Sequence, residues 1–548
     1  MFVFVCESMS LLVFVSKDIF SAMICVLCCV LCCVALDWCY PSEVANSDFS
    51  AACSLQALVD TNVTVTCSAG YVGGGVTSCG DDGVFSDLSC DLPCDLVELV
   101  SSTQRISTKE GQFTCFMDNW DYLGSAVTKA DVNDDGLVEL IVGAIGDDDS
   151  VDNAGALYVI FLAPDFTVES FQKVSATRGG FTAVLASSDY FGGALDDLGD
   201  IDGDGLQEII AGVYRDGTGG SNAGCVYIMS LTSVGTVHSF LKIDAYTGSG
   251  SLTLNIYANL WFGYSVSRGE DINGDGNMDV LVGAAGDDGS GTDKGAVYIL
   301  FLNSTGYPLS HQRMSAARGW FTGVLVNYDY FGYSVCHLGD LNEDGKMDLA
   351  VGAPQTSDGT YRAGAVYIIF LQAAFSFVLS HRKISLTSGS LTAELAYEDQ
   401  FGTSLSNLGD MNSDGAVDIL VGAKYADDLA VSNAGAVFVV FLGTDGGCVS
   451  HQRLSREYGP FTSALGGSAL YFGHSSAVLG DINGDLIDDW LFGFTGYETY
   501  EYTDTGAFLI VFGTGGSSII ACKRVCTLFF VFAHGCISSD VFFVLFCF

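Results

Sequence analysis

The sequence predicts an all-β protein whose main domain is a propeller of six four-stranded blades. Two observations carry this prediction. An acidic loop of one pattern recurs at a spacing of 69 to 71 residues, starting at Asp131, Asp200, Asp271, Asp340, Asp410 and Asp481. Such a regular period indicates a repeat architecture, and about 70 residues is enough for four strands and their turns. Glycine is frequent (67) and proline scarce (6), which favours short strands and tight turns over disorder.

Each repeat divides into four predicted strands. The first follows a Phe-Gly pair and ends at the acidic loop. The second is apolar on both faces, as in Leu349-Ala-Val-Gly-Ala353, which is typical of a strand buried between sheets. The third begins with a glycine, as in Gly364-Ala-Val-Tyr-Ile-Ile-Phe370. The fourth is more polar, as in Arg382-Lys-Ile-Ser385, and therefore suits a sheet edge.

The two ends of the repeat region predict how the ring closes. A fourth-strand segment at 104–107 precedes the first repeat, and the last repeat ends with a third strand at 506–512. Pairing these two segments completes a sixth blade and leaves no exposed edge at the seam. A seventh, degenerate blade is the alternative, although no further stretch of sequence suits it.

Four segments are predicted along the chain. Residues 1–36 contain an uncharged run at 19–36, which suits a signal peptide cleaved after Ala35 or a signal anchor. Residues 37–95 form a cysteine-rich module, 96–515 the propeller, and 516–548 an apolar, cysteine-rich tail. The tail is interrupted by charge, so it is a poor candidate for a span of about 20 apolar residues.

The module at 37–95 favours export. It holds six cysteines, a density typical of a small secreted domain stapled by disulfides: Cys39, Cys53, Cys67, Cys79, Cys90 and Cys94. Asn62 and Asn303 begin acceptor sequons for N-glycosylation in an exported chain.

The acidic loops predict cation sites. Oxygen-bearing side chains stand at loop positions 1, 3, 5 and 9, and the carbonyl at position 7 adds another oxygen. An all-oxygen set indicates a hard cation, and Ca²⁺ suits a flexible loop better than Mg²⁺. The predicted ligands, for up to six Ca²⁺, are Asp131, Asn133, Asp135, Leu137 and Glu139; Asp200, Asp202, Asp204, Leu206 and Glu208; Asp271, Asn273, Asp275, Asn277 and Asp279; Asp340, Asn342, Asp344, Lys346 and Asp348; Asp410, Asn412, Asp414, Ala416 and Asp418; and Asp481, Asn483, Asp485, Ile487 and Asp489.

An Asx-rich turn held by its own side chain to main chain hydrogen bonds is the alternative interpretation of one such loop. Six repetitions of the same oxygen pattern favour metal. The sixth loop is predicted to be the weakest, because Leu486 replaces the glycine at position 6 and would be strained at a positive φ.

The Phe-Gly pair, the acidic loop and the Gly352-Ala-Pro354 ending together resemble FG-GAP repeats, over about residues 104–513. The resemblance implies a calcium-binding propeller used for adhesion or ligand binding, as in the heads of integrin alpha subunits. Integrin heads have seven blades, followed by sandwich domains and a membrane span that this sequence does not show. The stretch 63–90 resembles a complement-control (sushi) repeat, with an irregular cysteine-rich linker as the alternative.

The net charge of −44 argues against nucleic acid as a partner. The leading hypothesis is a secreted or cell-surface module that binds an extracellular protein or glycan, with membrane anchoring through either apolar end left open. The alternative is an extracellular enzyme acting on a polysaccharide or phosphodiester, which requires unique polar residues converging on the propeller axis. No catalytic residues are predicted, since His311, His381 and His451 lie one repeat apart and indicate a blade feature.

Acidic pairs also follow the second strands at similar repeat positions. We predict solvated loop tips, with added cation or sugar contacts as the alternative, for Asp147 to Asp149, Asp287 with Asp288, and Asp427 with Asp428.

Overall fold

The structure is a computed structural model that describes residues 100–513 and five short strands outside them. Within 100–513 the description leaves out 116, 150, 247–253, 290, 373–376, 394, 429–430, 457–460, 462–464, 466–469 and 498–503. The predicted signal peptide or anchor lies outside the described residues, as do most of the cysteine-rich module and most of the tail. The sushi-like assignment and the disulfides of that module therefore stay predictions.

Three of the short strands precede the propeller. They are β1 (Asn62–Thr66), β2 (Val72–Ser78) and β3 (Cys90–Asp91), and they form one antiparallel sheet in the order β1-β2-β3.

Six four-stranded antiparallel sheets follow within the compact unit Glu98–Gly515. The first blade consists of β5 (Leu123–Ala130), β6 (Glu139–Ala144), β7 (Ala156–Leu162) and β8 (Val168–Val174). The second consists of β9 (Ala194–Gly199), β10 (Gln207–Val213), β11 (Cys225–Leu231) and β12 (Val237–Ile243). The third consists of β13 (Phe262–Arg268), β14 (Asp279–Ala284), β15 (Ala296–Leu302) and β16 (Pro308–Ser315). The fourth and fifth are β17 (Ser334–Gly339), β18 (Asp348–Ala353), β19 (Ala365–Gln372) and β20 (Phe377–Ser385); and β21 (Phe401–Gly409), β22 (Asp418–Ala423), β23 (Ala436–Leu442) and β24 (Cys448–Leu454).

The sixth blade is built from both ends of the repeat region. Its strands are β25 (Ser475–Gly480), β26 (Asp489–Phe494), β27 (Ala507–Gly513) and β4 (Val100–Ile106). Strand β4 pairs antiparallel with β27, with Ile106 opposite Phe508. The predicted seam and the count of six blades are therefore confirmed for the described residues, which contain no seventh blade and no helix. The remaining short strands, β28 (Leu528–Val531) and β29 (Phe542–Leu545), pair with each other.

The first strands of the blades form the inner ring. Each of β5, β9, β13, β17, β21 and β25 contacts the first strand of the next blade, and β25 contacts β5. Apolar cores lie between successive blades: one joins the fourth and fifth blades, and another joins the sixth to the first through Leu491, Phe508 and Leu140. Apart from Gln207 at the start of β10, the second strands are buried along their whole length because they face a neighbouring blade on both sides, as their continuous apolar runs predict.

The recurring glycine motifs meet at the contact between two blades. Phe401 bridges the backbone of Gly364 in the preceding blade. The carbonyl oxygen of the adjoining Gly402 accepts a hydrogen bond from Ser334 Oγ at 2.8 Å, and it lies 2.2 Å from the place that a Cβ on Gly352 would occupy. The equivalent approach is 2.0 to 2.1 Å at Gly143, Gly212, Gly283, Gly422 and Gly493. The Phe-Gly and Val-Gly-Ala motifs therefore recur together because each supplies one side of the same close contact.

Candidate metal centre: the six acidic loops

All six acidic loops connect the first strand of a blade to its second, so they lie at the same end of the ring. In the fourth blade the loop runs between Gly339, the last residue of β17, and Asp348, the first residue of β18. The side chains at positions 1, 3 and 5 are exposed or partly exposed, whereas the acid at position 9 is buried.

One hydrogen-bond frame recurs in every loop. In the fourth, Asp340 accepts hydrogen bonds from the amides of Asp344 at 2.8 Å and Gly345 at 2.6 Å, and Asn342 Oδ1 accepts from the Asp344 amide at 3.0 Å. The other five loops repeat these contacts. The side-chain oxygens at positions 1 and 3 thus accept from the same amide, that of position 5. These hydrogen bonds are those of the Asx-rich turn that was the alternative to a metal site, and they also hold oxygen atoms in place as ligands for a cation.

The acid at position 9 ties the loop to the rest of the blade. Asp348 Oδ2 accepts from the amide of Leu341, at position 2, at 3.0 Å, and Oδ1 accepts from Leu371, in the third strand, at 3.4 Å. Three other loops make the same two contacts, through Asp279, Asp418 and Asp489. Glu139 and Glu208 also accept from the position 2 amide, through Oε2.

The turn needs positive φ at two positions. At position 6, φ lies between 78° and 89° at the five glycines and is 69° at Leu486. Leu486 therefore has the positive φ at which strain is expected, and the lower cation affinity of the sixth loop stays a prediction. Position 4 was not predicted from the sequence. There φ is 56° at Asp134 and 59° at both Glu343 and Ser413. Glycine at this position in the second, third and sixth loops was the signal in the sequence that pointed to it.

Replacing Leu486 with glycine is expected to stabilise the chain by about 1 kcal/mol, because the left-handed conformation disfavours a side chain with a Cβ. Leu486 is 92% exposed, so removing its side chain takes little buried apolar surface away. Urea unfolding at fixed calcium measures the change. The matched reverse substitution, Gly345→Leu, should destabilise by a similar amount. A loss of stability in Leu486→Gly would contradict the assignment of strain.

Burial raises the pKa of the position 9 acids. The pKa is about 7 for Glu139, Asp279 and Asp348, about 8 for Asp418 and about 6 for Asp489. Desolvation is the largest cause in each, and hydrogen bonds from backbone amides oppose it. Throughout the described ranges, no lysine or arginine forms an ion pair with these acids. A bound cation would supply the missing positive charge and favour the ionised form.

In the calcium-free chain, the free energy of unfolding is expected to fall as the pH rises from about 5 to about 8. The folded-state pKa values near 7 exceed the unfolded value near 4, so the folded chain binds more protons and this stabilisation is lost as the pH rises through about 7. Saturating calcium should reverse the trend, since the cation favours the deprotonated acids. Urea unfolding at three pH values, with and without calcium, tests this. Identical pH dependence in both conditions would contradict it.

The donor set fits a hard divalent cation. Carboxylate oxygens of Asp200, Asp202 and Glu208 lie within 4.8 Å of one another. Glu208 is 4% exposed, and it is hydrogen-bonded to the Ile201 amide and to the Ser230 side chain. Three acids so close together repel one another without a cation, and an all-oxygen group of this kind could hold Ca²⁺. The position 7 carbonyls stay a prediction.

The prediction of solvated loop tips is wrong for three of the acids after the second strands, Asp147, Asp287 and Asp428, which are buried. It is confirmed for their exposed neighbours Asp148, Asp149, Asp288 and Asp427. Asp147 is buried and pairs with Lys173 Nζ at 2.5 Å, and Asp287 is buried in an ion pair with Arg313. The cation comes from the fourth strand of the same blade and lies over a third-strand tyrosine, with Lys173 Nζ 5.7 Å from the Tyr158 ring centre. Lys242 forms the equivalent pair with Asp216. In the fourth and fifth blades, Lys383 and Arg453 pair with an acid two residues further along the loop, Asp358 and Asp428. The Lys or Arg that recurs in the fourth strands is the feature of the sequence that could have predicted these ion pairs.

The three repeated histidines pack within their own blades. The ring centres of His311, His381 and His451 lie 6.0 to 6.2 Å from those of the aromatic residues Tyr298, Tyr367 and Phe438 in the third strands. This placement supports the interpretation of a blade feature.

The inner strands place five different polar residues and one valine at equivalent positions. Opposite the same residue of each second strand stand Lys129, Asp197, Arg268, His337, Asn407 and Val478. Ser267 Oγ lies 3.5 Å from His337 Nδ1, but its hydroxyl is placed to donate to the Arg268 carbonyl oxygen at 3.0 Å. That geometry does not make Ser267 and His337 the nucleophile and base of a hydrolase.

Comparison with known proteins supports the motif assignment. The FG-GAP repeat family matches residues 262–300 and 331–369. The chain is 38% identical over 176 residues to integrin alpha-PS5 of Drosophila melanogaster, a match that covers 31% of this chain and 15% of the integrin. It is 32% identical over 257 residues to integrin alpha-5 of Xenopus laevis, covering 44% and 21% of the two chains. It is 30% identical over 311 residues to integrin alpha-8 of Mus musculus, covering 55% and 26%.

The matched part is thus about a quarter or less of each relative's length. Among the described residues there is no helix long and apolar enough to cross a membrane. The repeat motifs, the six blades and the relatives agree with one another. The described residues therefore form a six-bladed β-propeller that carries FG-GAP repeats at 262–300 and 331–369 and is similar over part of its length to integrin alpha subunits.

Proposed function

We propose that this chain is a calcium-stabilised propeller that acts outside the cell, secreted or at the cell surface, as an adhesion or ligand-binding module. Its partner is an extracellular protein or glycan. The observation that carries the proposal is the hydrogen-bond frame shared by all six acidic loops, which holds oxygen atoms of positions 1 and 3 against one amide in every blade. The similarity to integrin alpha subunits supports the adhesive role.

In this proposal the cations have a structural role. Each loop lies between the inner strand and the buried second strand, and in four blades its last acid also holds the third strand. A cation held by positions 1, 3, 5 and 9 would neutralise the acids and fix three strands of the blade together. The ligand would then be held by loops on a propeller face, since connecting loops on a rigid scaffold carry most binding functions.

The test is binding of the purified chain to arrays of extracellular-matrix proteins and glycans, in calcium and in excess EGTA. Binding that requires calcium and leaves the ligand chemically unchanged is the expected result. Circular dichroism in both buffers provides the control, because it separates loss of the fold from loss of contact. Cleavage of an arrayed polysaccharide or phosphodiester would instead favour the enzymatic alternative. Binding to no arrayed ligand in calcium would count against the adhesive role.

A further inference from the structure

An arc of four tyrosines lies at the end of the ring opposite the acidic loops, where the first strands begin and the second strands end. The ring centres of Tyr190 and Tyr214 are 5.6 Å apart. The ring centre of Tyr264 lies 4.8 Å from that of Tyr214 and 4.5 Å from that of Tyr333. All four rings are partly exposed. They come from the second, third and fourth blades, so this tyrosine arc is one surface that crosses the boundaries between blades.

A buried lysine lies at one end of the tyrosine arc. Lys424 follows the second strand of the fifth blade, and its Nζ donates a hydrogen bond to Tyr333 Oη at 2.6 Å. The same Nζ lies 5.1 Å from the Tyr333 ring centre and 5.2 Å from that of Tyr425. Lys424 is 7% exposed, and among the described residues no carboxylate forms an ion pair with it. Burying an ammonium group without a counter-charge is costly, so this place favours an anion.

Two repeat positions at this end of the ring differ from blade to blade. In blade order, the residues that follow the second strands are Ile145, Tyr214, Ala285, Pro354, Lys424 and Thr495. The residues that follow the Phe-Gly pair, or Leu-Gly in the first blade, are Ser125, Gly193, Tyr264, Tyr333, Thr403 and His474. Tyrosine thus occupies one of the two positions in the second, third and fourth blades, and basic or hydroxyl side chains occupy both in the fifth and sixth. The blade itself does not require this variation, because all six blades share their other motifs.

We propose that the tyrosine arc binds an acidic glycan, whose carboxylate pairs with Lys424 and whose sugar rings pack on the tyrosines. This inference rests on the proposed function, in which the propeller binds an extracellular ligand, and it names the chemical class of that ligand. The face of a pyranose ring carries C–H groups that pack against aromatic rings, whereas an acidic peptide side chain offers only the carboxylate. The guanidinium of Arg215, an exposed residue, lies 4.8 Å from the Tyr190 ring centre. The arc therefore has a cation at each end, which suits a glycan that carries more than one acidic sugar.

Isothermal titration calorimetry of the full chain in saturating calcium tests this inference. The probe is a tetrasaccharide of alternating glucuronic acid and N-acetylglucosamine, and its carboxyl-reduced form is the uncharged control, which should bind about tenfold more weakly or worse. Lys424→Met removes the ammonium at nearly constant volume and should weaken binding of the acidic probe to the level of the reduced one. Tyr264→Leu removes a central ring and should weaken binding of both probes. Lys109→Met is the matched control, because it removes the same charge from an exposed turn after β4 and should bind as the wild type does.

The outcomes separate this inference from the proposed function. A wild-type chain that does not bind the acidic probe, or that binds both probes equally, would overturn the inference, and so would unchanged affinity in Lys424→Met or Tyr264→Leu. Tetraglutamate that binds as tightly as the acidic probe would also overturn it, because the site would then recognise a carboxylate without a sugar. In each case the proposed function stands if the chain binds another arrayed ligand in calcium, and it fails if the chain binds none. Melting curves in saturating calcium confirm that each variant is folded.

Discussion

Replacing Gly352 with alanine is expected to lower the free energy of unfolding by about 3 kcal/mol or more. The new Cβ would lie 2.2 Å from the carbonyl oxygen of Gly402 in the next blade and 2.2 Å from Ser334 Oγ. Both neighbours are fixed, because that hydroxyl donates to that carbonyl oxygen. The blades must then move apart, and the apolar core between them loses contact. Urea unfolding in saturating calcium measures the effect.

Gly217→Ala is the matched control for this substitution. A Cβ at Gly217 meets no atom within 4 Å, and its backbone is outside the left-handed region. The same change there should alter stability by no more than about 0.5 kcal/mol. Equal effects of the two substitutions would show that the close contact between blades is not what requires glycine at position 352.

Removing calcium is expected to lower the melting temperature by about 10 °C or more. A ligand present at one hundred times its dissociation constant stabilises the folded state by about 2.7 kcal/mol per site, and up to six sites act together. The buried acids at position 9 add to the effect, because without a cation they must either take up protons or remain charged in a desolvated place. Thermal unfolding followed by circular dichroism, in calcium and in excess EGTA, gives the shift.

EGTA already saturated with calcium is the control, and it should leave the melting curve unchanged. Magnesium added to the EGTA sample tests the preference for calcium, since EGTA binds magnesium weakly and the small ion suits a flexible oxygen loop poorly. A melting temperature unaffected by excess EGTA would sink the structural role of the cations, and the loops would then be self-bonded Asx turns.

The architecture was predictable from the sequence because every blade is encoded by the same pattern of strands, turns and acidic loop. The period near 70 residues, the buried second strand and the unmatched segments at both ends of the repeat region specify six blades and the closing pair of β4 with β27. The positive φ at Leu486 also followed from its place in the loop. These features depend on local conformation and on strand pattern, which a single sequence carries.

The contacts between elements could not be predicted in the same way. Asp147 and Asp287 looked like solvent-facing acids because their partners, Lys173 and Arg313, lie 26 residues further along the chain. The third-strand partner of Glu208 is likewise invisible in a pattern that treats position 9 as one class, because Glu208 meets the Ser230 side chain whereas Asp348 meets a backbone amide. Which group the acid meets depends on the length of its side chain and on the packing around it.

The closing blade has a consequence for how the chain is made. Ser101 on β4 donates a hydrogen bond to the carbonyl of Phe512, a partner 411 residues later in the sequence. At a translation rate of about 5 to 20 residues per second, β4 emerges from the ribosome roughly 20 to 80 s before β27 exists. During that interval β4 and the incomplete propeller both have unpaired strand edges, and either edge can pair with a strand of a neighbouring nascent chain. Crowded polysomes should therefore yield strand-swapped dimers, and well-spaced ribosomes should yield closed monomers.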